Sequence, residues 1–288
     1  MSVQRLEIFN RVVQLNNITN AAIELNLSQS GISYAIKALE SELDVQLLKR
    51  TRTGVSLTKE GERIYRHSLL VTNAYDNLLQ EAAALKGVER GTITVGTFTS
   101  VTTNWIPKII TYFKEKYPKI TIKVVEGDYH NLENGVISGE LDCSFSIVSD
   151  NKLLNYVPLI NDKLYCIVSH EHPLAKQDVI KIGEIENYPL IKPKAEFDNE
   201  LANFFNSNNI HPSIAYEVSD DQSIIALVQA NLGINIRPGL VLTNPPENIK
   251  ILHLEQDPYR TIGLATASHV SHATKRFISA VSELFQEI

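Results

Sequence analysis

The stretch Ser28-Gln29-Ser30-Gly31-Ile32-Ser33-Tyr34-Ala35-Ile36-Lys37-Ala38-Leu39-Glu40 superimposes two patterns on one helix. Ser28 is an N-cap residue type, whose side-chain oxygen can accept from the unpaired amides of a first turn. Ile32, Ala35, Ile36 and Leu39 fall at i, i+3, i+4 and i+7, the spacing of a single buried stripe. The opposite face carries Gln29, Ser30, Ser33, Tyr34 and Lys37. Short polar groups of this kind can hydrogen-bond base edges, and one cation can serve a phosphate or a guanine. An ordinary amphipathic helix with a serine-rich exposed face fits the same residues, so the neighbouring segments decide.

Upstream, Val3 to Leu15 places Leu6, Phe9 and Val13 on one face and Ile8, Val12 and Leu15 on another, the pattern of a small helix held between neighbours. Thr19 is positioned to cap a second helix through Ala21-Ala22-Ile23-Glu24-Leu25, and Asn26 to stop it. Two helices joined by a tight turn fit helix-turn-helix geometry. Downstream, Leu47 to Thr58 reads as two short strands around a turn at Thr53-Gly54, with Lys49, Arg50 and Arg52 at its tip. A basic hairpin beside such a helix pair has the make-up of a wing that touches phosphates or the minor groove. Thr58 then caps a long helix to about Lys86. In it Ile64, Val71, Leu78 and Leu85 recur every seven residues, beside Ser68, Tyr75 and Ala82. A heptad seam on a helix of roughly 28 residues, ~42 Å, predicts a dimer contact resembling a coiled coil.

The 288 residues carry 27 Lys and Arg against 33 Asp and Glu, a net −6 that argues against a polyanionic partner if taken whole. Divided, residues 1–66 hold 9 basic and 7 acidic side chains, and residues 91–288 hold 16 and 23. The acidity therefore belongs to the larger part. Gly and Pro number only 13 and 11, so the chain is globular rather than low-complexity. The charge at Arg5 and Glu7 excludes a secretory apolar region there, and the uncharged run Gly91 to Pro107 is too rich in Thr to span a bilayer. Cys143 and Cys166 sit in strand-like runs without metal-ligand spacing.

Gly87 to Gly91 reads as a hinge, after which strands and helices alternate. Strands are expected at Thr92–Thr97, Ile120–Glu126 and Leu141–Val148, with helices around Trp105–Phe113 and Leu132–Ile137 between them. A second series has strands near Leu164–Ser169, Tyr188–Ile191, Ile214–Val218 and Gly233–Ile236. Helices near Asn199–Asn206 and Gln222–Ala230 separate them. Strand Ile262–Thr266 and helix Ala273–Phe285 then return to the first series. Such alternation predicts βαβ units and a largely parallel sheet. Ligands of such sheets sit beyond the strand carboxyl ends. Thr97, Thr99, Ser100, Val101, Thr102 and Thr103 follow the first strand and precede a helix, where hydroxyls and amides suit a carboxylate, although such hydroxyls also serve as plain backbone caps. Ile147, Val148 and Ser149 would line the same cleft, with Lys194 and Ser219-Asp220 from the second series. Lys192, Lys194 and Arg237 are the cations available for an anion.

In its first third the chain resembles the LysR-type transcriptional regulators. The resemblance rests on Leu6, Phe9, Thr19, Ala21-Ala22, Leu25, Ser28-Gln29-Ser30, Ile32-Ser33, Ile36, Leu39-Glu40, Leu43, Leu47, Arg50, Leu57-Thr58 and Gly61, with Leu48 where the family usually has Phe. It extends through Val95-Gly96, Pro107, Phe113, Tyr117-Pro118, Glu126-Gly127, Gly139, Leu141-Asp142, His172-Pro173-Leu174-Ala175, Gly233 and Pro238. It implies a winged helix-turn-helix domain over residues 1–58, a linker and dimerisation helix over 59–88, and an α/β effector-binding domain over 89–288. That last domain would have two lobes like a periplasmic binding protein, lobe I at about 91–160 and 265–288 and lobe II at about 161–264. Ser28, Gln29, Ser30, Ser33, Tyr34 and Lys37 would then face a DNA groove, with Arg50, Arg52 and Thr53 near the backbone.

The resulting expectation is a cytoplasmic regulator of transcription that binds a partly palindromic double-stranded site as a homodimer or dimer of dimers. It would answer to a small-molecule effector such as a carboxylate and engage RNA polymerase, without membrane, metal or cofactor. Catalysis is not expected, since GxSxG, Walker and GxGxxG motifs are missing. The pairs His170/His172 and His269/His272 lack an evident third ligand, and His172 reads as a surface residue. A solute-binding protein is the rival reading, and it would need an export signal.

Overall fold

The computed structural model describes residues 2–51, 54–86, 89–194 and 199–286. Helices α1 (Val3–Leu15), α2 (Ile18–Leu25) and α3 (Gln29–Leu43) and the hairpin β1 (Leu48–Thr51) and β2 (Gly54–Leu57) enclose one core. α1 is buried on both faces, through Leu6 and Phe9 and through Ile8 and Val12. Asn16, Asn26 and Asp44 end the three helices in the left-handed conformation, which a short polar side chain tolerates. The cap of α2 is Asn17 rather than Thr19. Its carboxamide accepts from the amides of Thr19 and Asn20, so the helix starts two residues earlier than the sequence suggested. Gly54 opens β2 opposite Thr51 instead of forming the turn. A Cβ there would stand 2.1 Å from the Asn16 carbonyl, so only glycine lets the hairpin close on the end of α1.

Helix α4 (Lys59–Ala84) begins at Thr58, whose hydroxyl accepts from the Gly61 amide at 2.8 Å. Its first half packs on the N-terminal unit through Tyr65 and Leu69. Asn10 donates to Thr72 Oγ1 at 3.1 Å and accepts from Ser68 Oγ, a buried polar joint between α1 and α4. Ser68 thus belongs to this joint and not to an apolar seam.

The larger part builds two lobes on one continuous set of strands. In the first, β3 (Gly91–Thr97), β4 (Ile120–Glu126) and β5 (Cys143–Ile147) run parallel, with α5 (Thr99–Asn104), α6 (Ile106–Lys116), α7 (Tyr129–Ser138) and α10 (His272–Phe285) against them. In the second, β8 (Leu190–Pro193) pairs in parallel with β9 (Ile214–Val218) and is bridged to β10 (Asn235–Pro238). Helices α8 (Asn199–Ser207) and α9 (Asp221–Gln229) pack with this second set.

Two long antiparallel strands join the lobes. β6 (Asn155–Ser169) pairs with β12 (Tyr259–Thr266) over its first half and with β10 and β11 (Ile249–Leu254) over its second. The sheet is therefore mixed rather than largely parallel. β6 starts nine residues before the expected Leu164, and β11 and β7 (Val179–Ile180) were not expected at all. Leu154-Asn155-Tyr156-Val157 alternates weakly, and the first half of the strand leaves Asn155, Pro158 and Asn161 exposed while burying Leu159 and Asp162. Ile262 and Leu264 pack in the first-lobe core, in keeping with the return of strand Ile262–Thr266 to the first series, so the approximate lobe boundary at 264 falls too late. Of the expected hinge, Gly87 and Val88 lie outside the described residues, and Gly91 already pairs with Ile120.

Candidate nucleic-acid interface and effector cleft

The turn between α2 and α3 fixes the exposed face of α3. Asn26 directs the Leu27 amide back to the Ala22 carbonyl, and Ser28 accepts from Gly31 at 3.0 Å. Ile32, Ala35, Ile36 and Leu39 are buried, which leaves Gln29, Ser30, Tyr34 and Lys37 in solvent and Ser33 half-buried. Two of these side chains are already ordered. Gln29 donates to Thr19 Oγ1 at 3.0 Å, and Ser28 and Ser30 share a hydroxyl contact of 3.0 Å. Thr19, expected as a cap, instead extends this polar surface onto α2. Exposed Ile23 and Leu27 flank it, apolar positions that the buried-stripe argument could not assign to any face.

The hairpin is held to the same unit by Glu40, whose Oε1 accepts from the amides of Leu47 and Leu48 at 2.8 and 3.1 Å. Lys49 is exposed on β1 and the Arg50 backbone pairs with Val55. Arg52 and Thr53 lie outside the described residues. Beyond the core contact of Ile64, the α4 heptad emerges into solvent: Leu78 is 64% and Leu85 83% exposed, with Val71, Leu70, Tyr75 and Leu79 also exposed. The other side of α4 docks on the first lobe, where Asn73 donates to the Gly139 carbonyl at 2.7 Å. A groove of about 1340 Å³ runs between α1 and α4 on one side and β4 and α7 on the other, and none of the expected effector residues lines it.

At the lobe junction the Thr and Ser cluster divides. Thr97 and Ser100 are buried, Thr102 is half-buried and Thr99 exposed. Thr102 donates to Thr97 Oγ1 and to the Phe98 carbonyl, both at 3.2 Å, and Thr99 donates to Glu126 at 2.8 Å. Val101 is fully buried in the first-lobe core, so its side chain packs rather than lines a cleft. Ile147 and Val148 are half-buried at the end of β5. The cation beside this cluster is Arg260, which the sequence reading missed. Its guanidinium donates to Asp162 at 2.9 Å, Tyr129 at 2.6 Å and Ser100 at 3.3 Å, and lies 5.3 Å from the Phe98 ring centre. An arginine within a strand pattern, between Tyr259 and Thr261, was the available signal.

From the second lobe, Lys194 and Ser219 are exposed at the ends of β8 and β9, linked through the Lys194 amide and the Val218 carbonyl at 3.0 Å. Lys192 pairs with Glu217 at 3.0 Å. Arg237 is buried beside Asp221, at the start of α9. Asp220 caps that helix, and its hydrogen bonds from Ser223 hold its carboxyl below the usual range. The lobes also touch directly, since Asn104 donates to the Leu240 carbonyl at 3.0 Å and the Leu240 amide to Asp162 at 2.9 Å.

His172 is buried rather than on the surface. It accepts from the Leu174 amide at 3.2 Å and meets the Tyr188 ring edge-on at 4.8 Å, and burial lowers its pKa. Cys143 and Cys166 are both buried in separate lobe cores. Burial pushes the Cys143 thiol well up and the Cys166 thiol up to about 12. Among the described residues no three His, Cys, Asp or Glu side chains gather as a metal site, and no helix is long and apolar enough to cross a membrane.

Comparison with known proteins adds two family models. One is described as the bacterial regulatory helix-turn-helix protein of the lysR family and matches residues 3–62. The other is the LysR substrate binding domain and matches residues 86–286. The chain is 30% identical to the uncharacterized HTH-type transcriptional regulator YvbU of Bacillus subtilis, over 99% of both chains. A full-length point variant of OxyR from Pseudomonas aeruginosa shares the fold with a TM-score of 0.81 at 21% identity, over 98% of this chain and 94% of that one. Full-length CbnR complexed with its target DNA does so with a TM-score of 0.68 at 21% identity, over 98% and 99%.

Proposed function

The chain belongs to the LysR family of transcriptional regulators, DNA-binding proteins with an effector-binding domain, and from that premise we propose how its residues divide the work. Ser28, Gln29, Ser30, Ser33, Tyr34 and Lys37 read base edges and adjacent phosphates in the major groove, while Arg50, Arg52 and Thr53 of the wing hold the backbone. The observation that carries this reading is the solvent-facing side of α3, with Gln29 held by Thr19 before any DNA arrives. A side chain ordered in advance loses less entropy on binding. The exposed α4 heptad of Val71, Leu78 and Leu85 pairs with a second copy, giving a dimer, or a dimer of dimers, on a partly palindromic site. Ile64 contributes at the seam's base. The protein works in the cytoplasm, without catalytic activity of its own, and contacts RNA polymerase from the bound promoter.

The effector is a small molecule held between the lobes by Thr97, Thr99, Ser100 and Thr102 on one side and Lys194 and Ser219 on the other, with Ile147 and Val148 as apolar wall. Val101, buried in the first-lobe core with its amide given to the Phe98 carbonyl at 2.9 Å, backs the site rather than lines it. A carboxylate suits it, since Arg260 donates to Ser100 Oγ and leaves the Ser100 proton free for an anion. Binding alters lobe closure through β6 and β12, and with it the spacing of the two readers.

Fluorescence anisotropy on promoter fragments tests the reader. Affinity should fall roughly a thousandfold between 50 and 200 mM salt if about six phosphates are engaged. Ser33→Ala and Tyr34→Ala should weaken discrimination between specific and random DNA, whereas Arg52→Ala should weaken both alike. Salt-insensitive binding, or equal losses for all three variants, would sink the assignment. A thermal-shift screen of small carboxylates and amino acids tests the cleft.

A further inference from the structure

We propose that Asn235 and Arg237, with Asp221, select the effector, and that it is a small carboxylic acid with a hydrogen-bond donor, a hydroxyl or an ammonium, beside its carboxylate. This rests on the cleft reading above and names the ligand that the cleft takes. Two positions apart on β10, the two side chains share one face of the second-lobe sheet. Asn235 opens β10 beside Ile191 of β8, and Arg237 lies against Asp221 in the first turn of α9.

Both are buried, Asn235 completely and Arg237 to 5% exposed. Asn235 donates Nδ2 to the Ile191 carbonyl at 2.6 Å. A carbonyl can only accept, so this contact fixes the amide and turns Oδ1 the other way. Oδ1 has no hydrogen-bond partner among the described residues. Arg237 gives Nη2 to Asp221, but its Nε and Nη1 are likewise buried without an acceptor. Buried polar groups in folded proteins are almost always paired, and unpaired donors on a charged group are among the costliest exceptions. A leucine at 237 would be buried at less cost, so packing gives no reason for the arginine.

The unmet groups define the complement. The unmet N–H groups on Nε and Nη1 call for an anion, and the Asn235 carbonyl oxygen calls for a donor beside it. Asp221 offsets the guanidinium charge and adds a second acceptor for an ammonium. The site also sits on the lobe joint. Three residues past Arg237, Leu240 takes the Asn104 amide of the first lobe and gives its own N–H to Asp162. A ligand that tightens β10 therefore acts on the contact between lobes.

Calorimetric titration of the full-length protein with propanoate, lactate, alanine and alaninamide tests this. Lactate or alanine should bind roughly tenfold or more tightly than propanoate and alaninamide. Lactate ahead of alanine assigns the donor as hydroxyl, and the reverse assigns it as ammonium. Arg237→Leu should weaken the preferred probe by at least about tenfold while shifting the melting temperature by no more than about 4 °C. Asn235→Ala should erase the preference over propanoate while leaving carboxylate binding. Binding that survives Arg237→Leu but is lost in Ser100→Ala overturns this pocket and leaves the cleft reading standing. Binding untouched by either variant removes the effector from the cleft and overturns both. If none of the four probes binds at millimolar concentration, the ligand class is wrong.

Discussion

Arg260 and Arg237 are equally hidden, 6% and 5% exposed, yet they meet very different surroundings. At the crossing of the lobes, Arg260 is met by Asp162, Tyr129 and Ser100 and lies over Phe98. In the second lobe, Arg237 meets Asp221, and among the described residues two of its three nitrogens have no acceptor. A saturated buried guanidinium fixes geometry, because any movement breaks several charge-assisted bonds at once. An unsaturated one keeps bonding capacity for something else. Burial alone therefore does not separate a structural charge from a binding one; the hydrogen-bond tally does.

Substitutions can break that contrast. Arg260→Ala leaves Asp162 buried and uncompensated and should cost about 3–5 kcal/mol in denaturant unfolding of the effector lobes. A loss under about 1 kcal/mol would mean that Arg260 is no more structural than Arg237. The N-terminal unit extends the comparison to neutral groups, since Asn10 is fully engaged by Ser68 and Thr72. Asn10→Ala should cost about 1–3 kcal/mol and loosen α1 from α4, seen as faster amide exchange in both helices. Unchanged exchange would show that the apolar contacts of Tyr65 and Leu69 suffice. Arg237→Leu should shift stability by no more than about 1 kcal/mol in either direction. A larger loss would make it a second structural arginine.

The smallest expected effect is on pH dependence. Burial holds the His172 pKa below its unfolded value, so the folded state binds fewer protons than the unfolded one at mildly acid pH. Stability from this site is then full above the unfolded value near 6.5 and falls as pH drops through it towards the lowered folded value. His172→Gln should flatten the melting-temperature profile in that window. An unchanged profile would show that the ring does not need its neutral form.

Much of the N-terminal unit was legible because its signals are local. The i, i+3, i+4, i+7 stripe on α3 is buried throughout, and Ser28, Thr58 and Asn26 perform the capping roles their side chains suit. Thr19 misled because Asn17, two residues upstream, caps the Thr19 and Asn20 amides instead, and a carboxamide or hydroxyl cap cannot be ranked without the backbone path. In the effector domain the alternation of strands and helices was readable, but the crossing strands were not. The first half of β6 and all of β11 lack a clean period because their faces are set by a partner strand far away in sequence.

The amino-acid order by itself determined the helix-turn-helix, the wing, the long helix and the alternating αβ units, since periodicity and capping act within a few residues. Only the tertiary structure decided which charges meet. Arg260 reaches Ser100 across 160 positions because two antiparallel strands carry one lobe into the other, and Asp221 reaches Arg237 across 16 because α9 packs with the second-lobe strands. Pairing in a buried site depends on that path through space, which no local spacing encodes.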